Sequence, residues 1–359
     1  MLVVIVSVFL TDLINQASGI KGMISYITVA ILMGMLLANT VGVPALCKPG
    51  IRLCLAKLLR LGIILMGIRL TFFDAVKIGL WGLPIVILCI VAALFITSYI
   101  TRWLKLPERL GTLIAVGTAI CGNSAIVATA PCIEAKDEEV TYAVANVTLF
   151  GVLAMFVYPY ISHFLFGGNP VMAGLFEGTS IHDTSQVTAA GLIFDQVYGI
   201  TRDVYSATAA DVAIVTKLVR NTAMAIVIPV MVLLYARRMA AQPECNAKPV
   251  NAIKLLPLFV VGFIVMAIIR SIGDASILGG GLAWGWWDQG TWSALERDIS
   301  TWATYILATA MAGVGLGTSL STIKGIGLKP FAVGLGAAFT VGIISTVLVW
   351  SFGTQVAFQ

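Results

Sequence analysis

Charge is scarce in this chain: Asp, Glu, Lys and Arg make up 11% of its 359 residues, less than half of the roughly 25% usual in soluble domains. A soluble surface cannot be clothed with so few charges. Histidine occurs twice, and the six cysteines, Cys47, Cys54, Cys89, Cys121, Cys132 and Cys245, form no CxxC pair and no metal-ligand spacing, which argues against a zinc centre and against a disulfide framework. Missing too are a phosphate-cradling P-loop, an HExxH pair, a hydrolase elbow and paired catalytic carboxylates. An ATP-driven pump or a membrane protease is therefore not expected, nor is an enzyme, a cofactor or a metal. The net charge of +5 follows the loops and implies no nucleic-acid partner.

What is abundant is apolar surface, with 59% hydrophobic residues and a mean hydropathy of +0.99. Runs long enough for a hydrocarbon core of about 30 Å lie near 2–18, 23–39, 51–71, 79–101, 109–133, 138–160, 170–197, 205–236, 254–273, 300–317 and 327–352. The expectation is an all-α polytopic membrane protein of about 11 transmembrane helices, a single transporter domain over 1–359 embedded in a lipid bilayer. The first run has no basic residue before it and no small-residue cleavage site of the usual form, so it reads as a retained span, with a truncated leader as the alternative. The polar stretches 237–254 and 274–300 are too short to bury cores and read as loops. About 13 Lys and Arg fall on the side of the connections at 40–57, 101–109, 237–254 and 318–330, against about seven on the other, which puts the amino terminus inside and favours 170–197 as a full crossing over a re-entrant hairpin. Trp284, Trp286, Trp287, Trp292 and Trp302 then read as an aromatic belt at the outer interface, with a ligand lid as the alternative.

Two polar islands interrupt the apolar pattern, GTAICGNSAIVATA at 117–130 and GTSIHDTSQVTAAG at 178–191. In register they share Gly117/Gly178, Thr118/Thr179, Ile120/Ile181, Ser124/Ser185 and Ala128/Ala189. Irregular backbone at bilayer depth is tolerated only beside protein or a water-filled cavity, so paired breaks point to a transport site. A second echo, 66–84 against 312–330, matches Gly67/Gly313, Leu70/Leu316, Gly79/Gly325 and Pro84/Pro330 and suggests internal duplication. The two offsets do not come from one tandem event, and the single span between the breaks gives them the same direction of crossing, not the opposite directions an inverted repeat needs.

In the first island, Gly122 permits the irregular turn and Asn123 or Ser124 can cap the half-helix that follows. The alternative is a tight crossing of small residues. In the second, His182 is the natural proton carrier and Asp183 can orient it, bind a cation or hold a proton, with Thr184, Ser185 and Gln186 alongside. The alternative is a surface loop, since Glu177 lies nearby. Lys217 and Arg220, three apart and so on one helix face, could hold a multivalent anion, neutralise Asp183, or snorkel to the interface. Glu134, Asp137, Glu138 and Glu139 read as a solvated helix start.

Through GTAICGNSAIVATAP, IHDTSQV and the KLVRN run at 217–221, the chain resembles the YeiH-like family of bacterial inner-membrane proteins labelled as sulfate exporters, over most of its length. That family is grouped with cation/proton antiporters and bile-acid-symporter-like folds. The resemblance implies a panel and a core with crossed, interrupted helices, a location in the bacterial inner membrane, and a homodimer. The leading expectation is a secondary transporter of a small, sulfate-like anion coupled to a proton or cation, with Asn123, Ser124, Thr184 and Ser185 lining the site. Lys217 and Arg220 would supply positive charge and His182/Asp183 the coupling. The alternatives are a cation/proton antiporter with Asp183 as ligand and Arg220 as counter-ion, and an anion channel, which would need a longer polar stripe.

Overall fold

The computed structural model describes residues 2–18, 25–202, 204–239, 257–318 and 328–356. Cys245, most of the 237–254 connection and positions 319–327 of the second echo lie outside the described residues. The described elements are helical, apart from one isolated bridge between Ala283 and Trp287. In order they are α1 (Leu2–Ser18), α2 (Tyr26–Thr40), α3 (Lys48–Leu53), α4 (Leu59–Met66), α5 (Phe72–Trp103), α6 (Glu108–Ala119), α7 (Asn123–Thr129) and α8 (Asp137–Leu165). There follow α9 (Pro170–Ser180), α10 (Thr184–Val197), α11 (Ala209–Thr222), α12 (Met224–Met239), α13 (Leu258–Leu278), α14 (Gln289–Gly317) and α15 (Leu328–Phe352).

Five of these, α5, α8, α13, α14 and α15, are long and apolar enough to cross a membrane, and α11 with α12, bent by 42° at their junction, makes a sixth. That is fewer than the eleven apolar runs. The runs at 109–133 and 170–197 each fall into two short helices, because the polar islands stop the i→i−4 ladder at 120–122 and 181–183. The run at 51–71 is cut by a π-turn at Cys54–Leu58 and a 3₁₀ turn at Gly67–Arg69. The five described cysteines are free.

Contacts divide the chain into two compact units, each assembled from three stretches of sequence. Unit 1 comprises Met1–Leu80, Leu192–Asp211 and Leu258–Ser319. Its centre is the crossing of α2 and α14, where two glycines let the backbones touch. A Cβ on Gly34 would stand 2.8 Å from the Ala312 carbonyl oxygen, and one on Gly315 would overlap the Ile31 carbonyl. This is the close approach that drives helix association where lipid leaves no hydrophobic gradient. Unit 2 comprises Trp81–Gly191, Val212–Pro257 and Leu320–Gln359. Its apolar core includes Ile114, Ile126, Val147, Ile228 and Val341. Buried polar clasps join its helices: Asn146 donates to the Pro330 carbonyl, and the Thr179 and Ser345 hydroxyls lie 2.6 Å apart.

Two expectations for 274–300 are corrected. The stretch is not one loop, since α13 continues to Leu278 and α14 starts at Gln289, capped by the Asp288 carboxylate, which accepts from the Gly290 N–H at 3.2 Å. Nor is Trp292 part of an exposed belt. Trp284, Trp286, Trp287 and Trp302 are exposed, whereas Trp292 is buried, its indole over Gly273 and its Nε1 donating to Asp274 at 2.9 Å. A buried indole N–H needs such a partner, and Asp274 supplies it.

Gly315→Ala should lower the thermal midpoint of the detergent-solubilised protein, by an amount matching the about 1–3 kcal/mol of overpacking. Gly50→Ala on α3, where an added methyl meets nothing within 4 Å, should leave it unchanged. Equal midpoints for both variants would refute the close crossing.

Candidate functional site

Both breaks lie in unit 2, and each has a clear backbone cause. After α6 the chain leaves helical geometry at Ile120 (φ −120°, ψ −98°) and turns at Gly122 with φ +67° before α7 begins. Only glycine adopts that φ without strain. After α9, whose start is capped by Asn169 accepting from the Val171 and Met172 N–H groups, Ile181 is extended (φ −80°, ψ 141°) and α10 begins at Thr184. The breaks abut: a Cβ on Gly122 would lie 3.4 Å from the Cα, Cβ and Oδ2 of Asp183.

A helix that stops inside a protein leaves its last carbonyls without partners and its C-terminal end partially negative. Lys217 and Arg220, both fully buried on α11, supply the missing donors for α6 and α9 together. Arg220 Nε donates to the Ala119 carbonyl at 2.8 Å, Nη1 to those of Thr179 at 2.8 Å and Ile181 at 3.1 Å, and Nη2 to that of Thr118. Lys217 Nζ donates to the Ile120 and Ile181 carbonyls at 2.8 and 2.9 Å and to that of His182. Among the described residues neither cation has a carboxylate within 4.0 Å, Asp183 included. The two side chains do not snorkel. Their charge neutralises two half-helix ends, and their donors are aimed at backbone oxygens.

The other residues of the islands form a polar seam. The Asp183 carboxylate sits at the start of α10, where Oδ1 accepts from the Ser185 N–H at 2.8 Å and the Ser185 hydroxyl at 2.5 Å. Gln186 reaches α8, its Nε2 donating to the Thr148 carbonyl at 3.3 Å, and the Thr148 hydroxyl donates to Asn123 Oδ1 at 3.4 Å. Asn221, on α11, donates to the Thr184 hydroxyl at 3.1 Å. Asn123, Asp183 and Thr184 are part-exposed and Ser124 is exposed, while His182, Ser185 and Gln186 are buried. Glu177 is also buried, its carboxylate accepting from Ser162 at 3.3 Å, so the second island is no surface loop.

Sequence reasoning passed over Thr148 and Asn146, each marked only by being polar inside an apolar run, and gave Asn221 no role beyond its place in the KLVRN run. It also missed two buried carboxylates of unit 1. Asp195 accepts from the Ala209 and Ala210 N–H groups at 2.9 and 3.2 Å, capping α11. Asp211 pairs with Arg69, Nε to Oδ1 at 3.2 Å.

Replacing Arg220 by Leu strands carbonyls of both half-helices, at about 1–3 kcal/mol for each polar group left unpaired. The expected order of thermal midpoint and folded yield is wild type, then Arg220→Lys, then Arg220→Leu, since lysine keeps the charge without the fork that reaches both breaks. A Leu variant as stable as wild type would show that the cation is not the clamp.

The sequence profile of the family described as Conserved hypothetical protein 698 matches residues 1–334. A UPF0324 membrane protein of Corynebacterium glutamicum is 30% identical over 344 residues, 95% of this chain and 88% of that protein. One of Pseudomonas aeruginosa is 34% identical over 86% of this chain and 80% of its own length. The UPF0324 inner membrane protein YeiH of Salmonella typhi is 32% identical over 87% of this chain and 81% of its own. No solved structure matches. With its apolar helices and relatives named as inner membrane proteins, this is a multi-pass inner-membrane protein, and it belongs to the UPF0324 family.

Proposed function

We propose that this protein is a secondary transporter of a small anion, sulfate-like by the resemblance above, with its site at the two abutting breaks. The observation that carries this reading is the clamp of Lys217 and Arg220 on the C-terminal ends of α6 and α9. Paired interrupted helices are the form that irregular backbone takes at transporter sites, and here the clamp holds the two interruptions together. Under this reading α6 with α7, α9 with α10 and α11 with α12 each count as one interrupted span. With the α3–α4 run and the uninterrupted helices they give eleven, arranged as a core and a panel.

The geometry also supports a coupling scheme. The Asp183 carboxylate occupies the Ser185 N–H and hydroxyl, donors at a helix start that would otherwise suit an anion. A carboxylate and an anion compete for them. Taking a proton removes the charge of Asp183 and frees the donors, so anion and proton enter the site together. Asn123 and Thr184, part-exposed on the same seam, would supply neutral contacts. Lys217 and Arg220 act from behind, by holding the breaks in place.

A second reading, a cation/proton antiporter, draws on the same carboxylate: Asp183 is part-exposed and has no cationic side chain within 4.0 Å among the described residues. Uptake of labelled sulfate into proteoliposomes holding a pH gradient separates the two. The wild type should show saturable uptake that follows the gradient. Asp183→Asn, a neutral mimic of the protonated acid, should keep anion exchange and lose at least about tenfold of the gradient-driven accumulation, the equivalent of 1.4 kcal/mol of coupling. No anion flux, but proton release on adding sodium or potassium, would replace this reading with the antiporter. Single-channel currents would replace it with a channel.

A further inference from the structure

Unit 1 contains a cavity of ≈ 350 Å³ lined by Arg69, Arg202, Arg270 and Arg297 together with Glu296. The lining residues come from four separate places. Arg69 ends the 3₁₀ turn after α4, Arg202 lies in the connection between α10 and α11, and Arg270 is on α13. Ser293, Glu296, Arg297 and Ser300 follow the i, i+3, i+4, i+7 spacing that puts them on one face of α14.

The arginines are not fully spent on one another's neighbours. Asp211 is shared between Arg69 at 3.2 Å and Arg202 at 4.0 Å, and Arg270 takes both Asp274 at 3.2 Å and Glu296 at 3.6 Å. Arg270 Nη1 is committed to the Ile68 and Arg69 carbonyls, at 3.0 and 2.7 Å. Arg297 makes no ion pair among the described residues, and the buried Nη1 of Arg202 has no hydrogen-bond partner among them. Four guanidinium groups thus face three carboxylates, with Arg297 unpaired among the described residues and Arg202 held only by a 4.0 Å ion pair through that same Nη1. Burial also pulls the Arg202 guanidinium below its ordinary value, the cost an added anion would relieve. The gathering runs against the topology rule. These four are over half of the about seven basic residues assigned to the outer side, where positive charge is disfavoured.

Size narrows the ligand. At about 30 Å³ per water, the space equals roughly twelve waters, more than a five-atom inorganic oxyanion fills and in the range of the smallest organic-ligand pockets. We infer that the cavity is a binding site for a small organic dianion such as a dicarboxylate, gripped by the paired forks of Arg202 and Arg297, with the Ser293 and Ser300 hydroxyls as neutral contacts. Guanidinium forks match carboxylate geometry bidentately. This site is separate from the breaks of unit 2 and does not depend on the transport reading.

The test is calorimetric titration of the purified full-length protein with succinate, and with inorganic sulfate and phosphate as smaller competitors. Saturable succinate binding is expected, tighter than either inorganic anion. It should weaken at least about tenfold, or 1.4 kcal/mol, in both Arg202→Ala and Arg297→Ala. Arg297→Ala should keep the unliganded thermal midpoint of wild type, which guards against loss by misfolding, and Asp183→Asn should bind succinate as wild type does. No saturable succinate binding, or binding indifferent to both arginine variants, would overturn the site. Preference for sulfate or phosphate over succinate would overturn the ligand class, and binding lost only in Asp183→Asn would move the ligand to the breaks.

Discussion

Two cations on one helix face hold this fold's central irregularity in place. Breaking a helix inside a membrane protein exposes carbonyls that hydrocarbon cannot satisfy, each at a cost of several kcal/mol. Burying a lysine or an arginine at that depth carries its own cost, about 2.5–3.5 kcal/mol on insertion scales. Here each problem solves the other. Among the described residues Lys217 and Arg220 have no carboxylate within 4.0 Å, yet every donor nitrogen of the guanidinium and the ammonium ends on a backbone oxygen of α6, α9 or their breaks. Because Arg220 bonds to the carbonyls of Thr118, Ala119, Thr179 and Ile181 at once, the two breaks are fixed relative to each other and not merely capped. The contact of Gly122 with Asp183 follows from that registration.

The clamp also decides what the site can offer a ligand. A sequence reading naturally gives an intramembrane Lys/Arg pair to the substrate, because side-chain charges are what a sequence displays. Committed to carbonyls, the same pair leaves the part-exposed chemistry to neutral groups and to one carboxylate. An anion drawn to the region would meet the start of α10 already occupied by Asp183. Under the reading proposed above, protonation would admit it, which would make the carboxylate the coupling element and not a mere neighbour of His182.

What the sequence made legible was whatever has a side-chain signature. The islands at 117–130 and 178–191 stood out because glycine, asparagine, histidine and aspartate are costly in an apolar run, and the structure breaks α6 from α7 and α9 from α10 there. What stayed hidden had no such signature. A C-terminal carbonyl of α9 looks the same in sequence as any other backbone oxygen, so the partners of Arg220 could not be read. Trp292 was grouped with its exposed neighbours because its partner, Asp274, is reached only when α13 and α14 pack. The start of α14 at Gln289 was missed although Asp288 is a good N-cap, since Glu296, Arg297 and Asp298 depress the hydropathy of its first turns. Interruptions with no polar island were hidden as well: nothing in the apolar runs marks the π-turn at Cys54–Leu58, the 3₁₀ turn at Gly67–Arg69 or the 42° bend between α11 and α12.

The same electrostatic rule accounts for the far end of α11. Its first turn is capped by carboxylates, with Asp195 accepting from the Ala209 and Ala210 N–H groups and Asp211 from the Thr208 N–H at 3.2 Å, while its last turns carry Lys217 and Arg220. Acid at the N-terminus and base toward the C-terminus is the order a helix macrodipole favours. In water that preference is worth a few tenths of a kcal/mol, but a low-dielectric interior strengthens it. Yet Lys217 and Arg220 point away from their own helix end, to the ends of α6 and α9. One helix therefore spends its acidic neighbours on its own dipole and its basic residues on two others. That division explains why four ionisable groups can lie buried on or against α11 without any described carboxylate within 4.0 Å of Lys217 or Arg220.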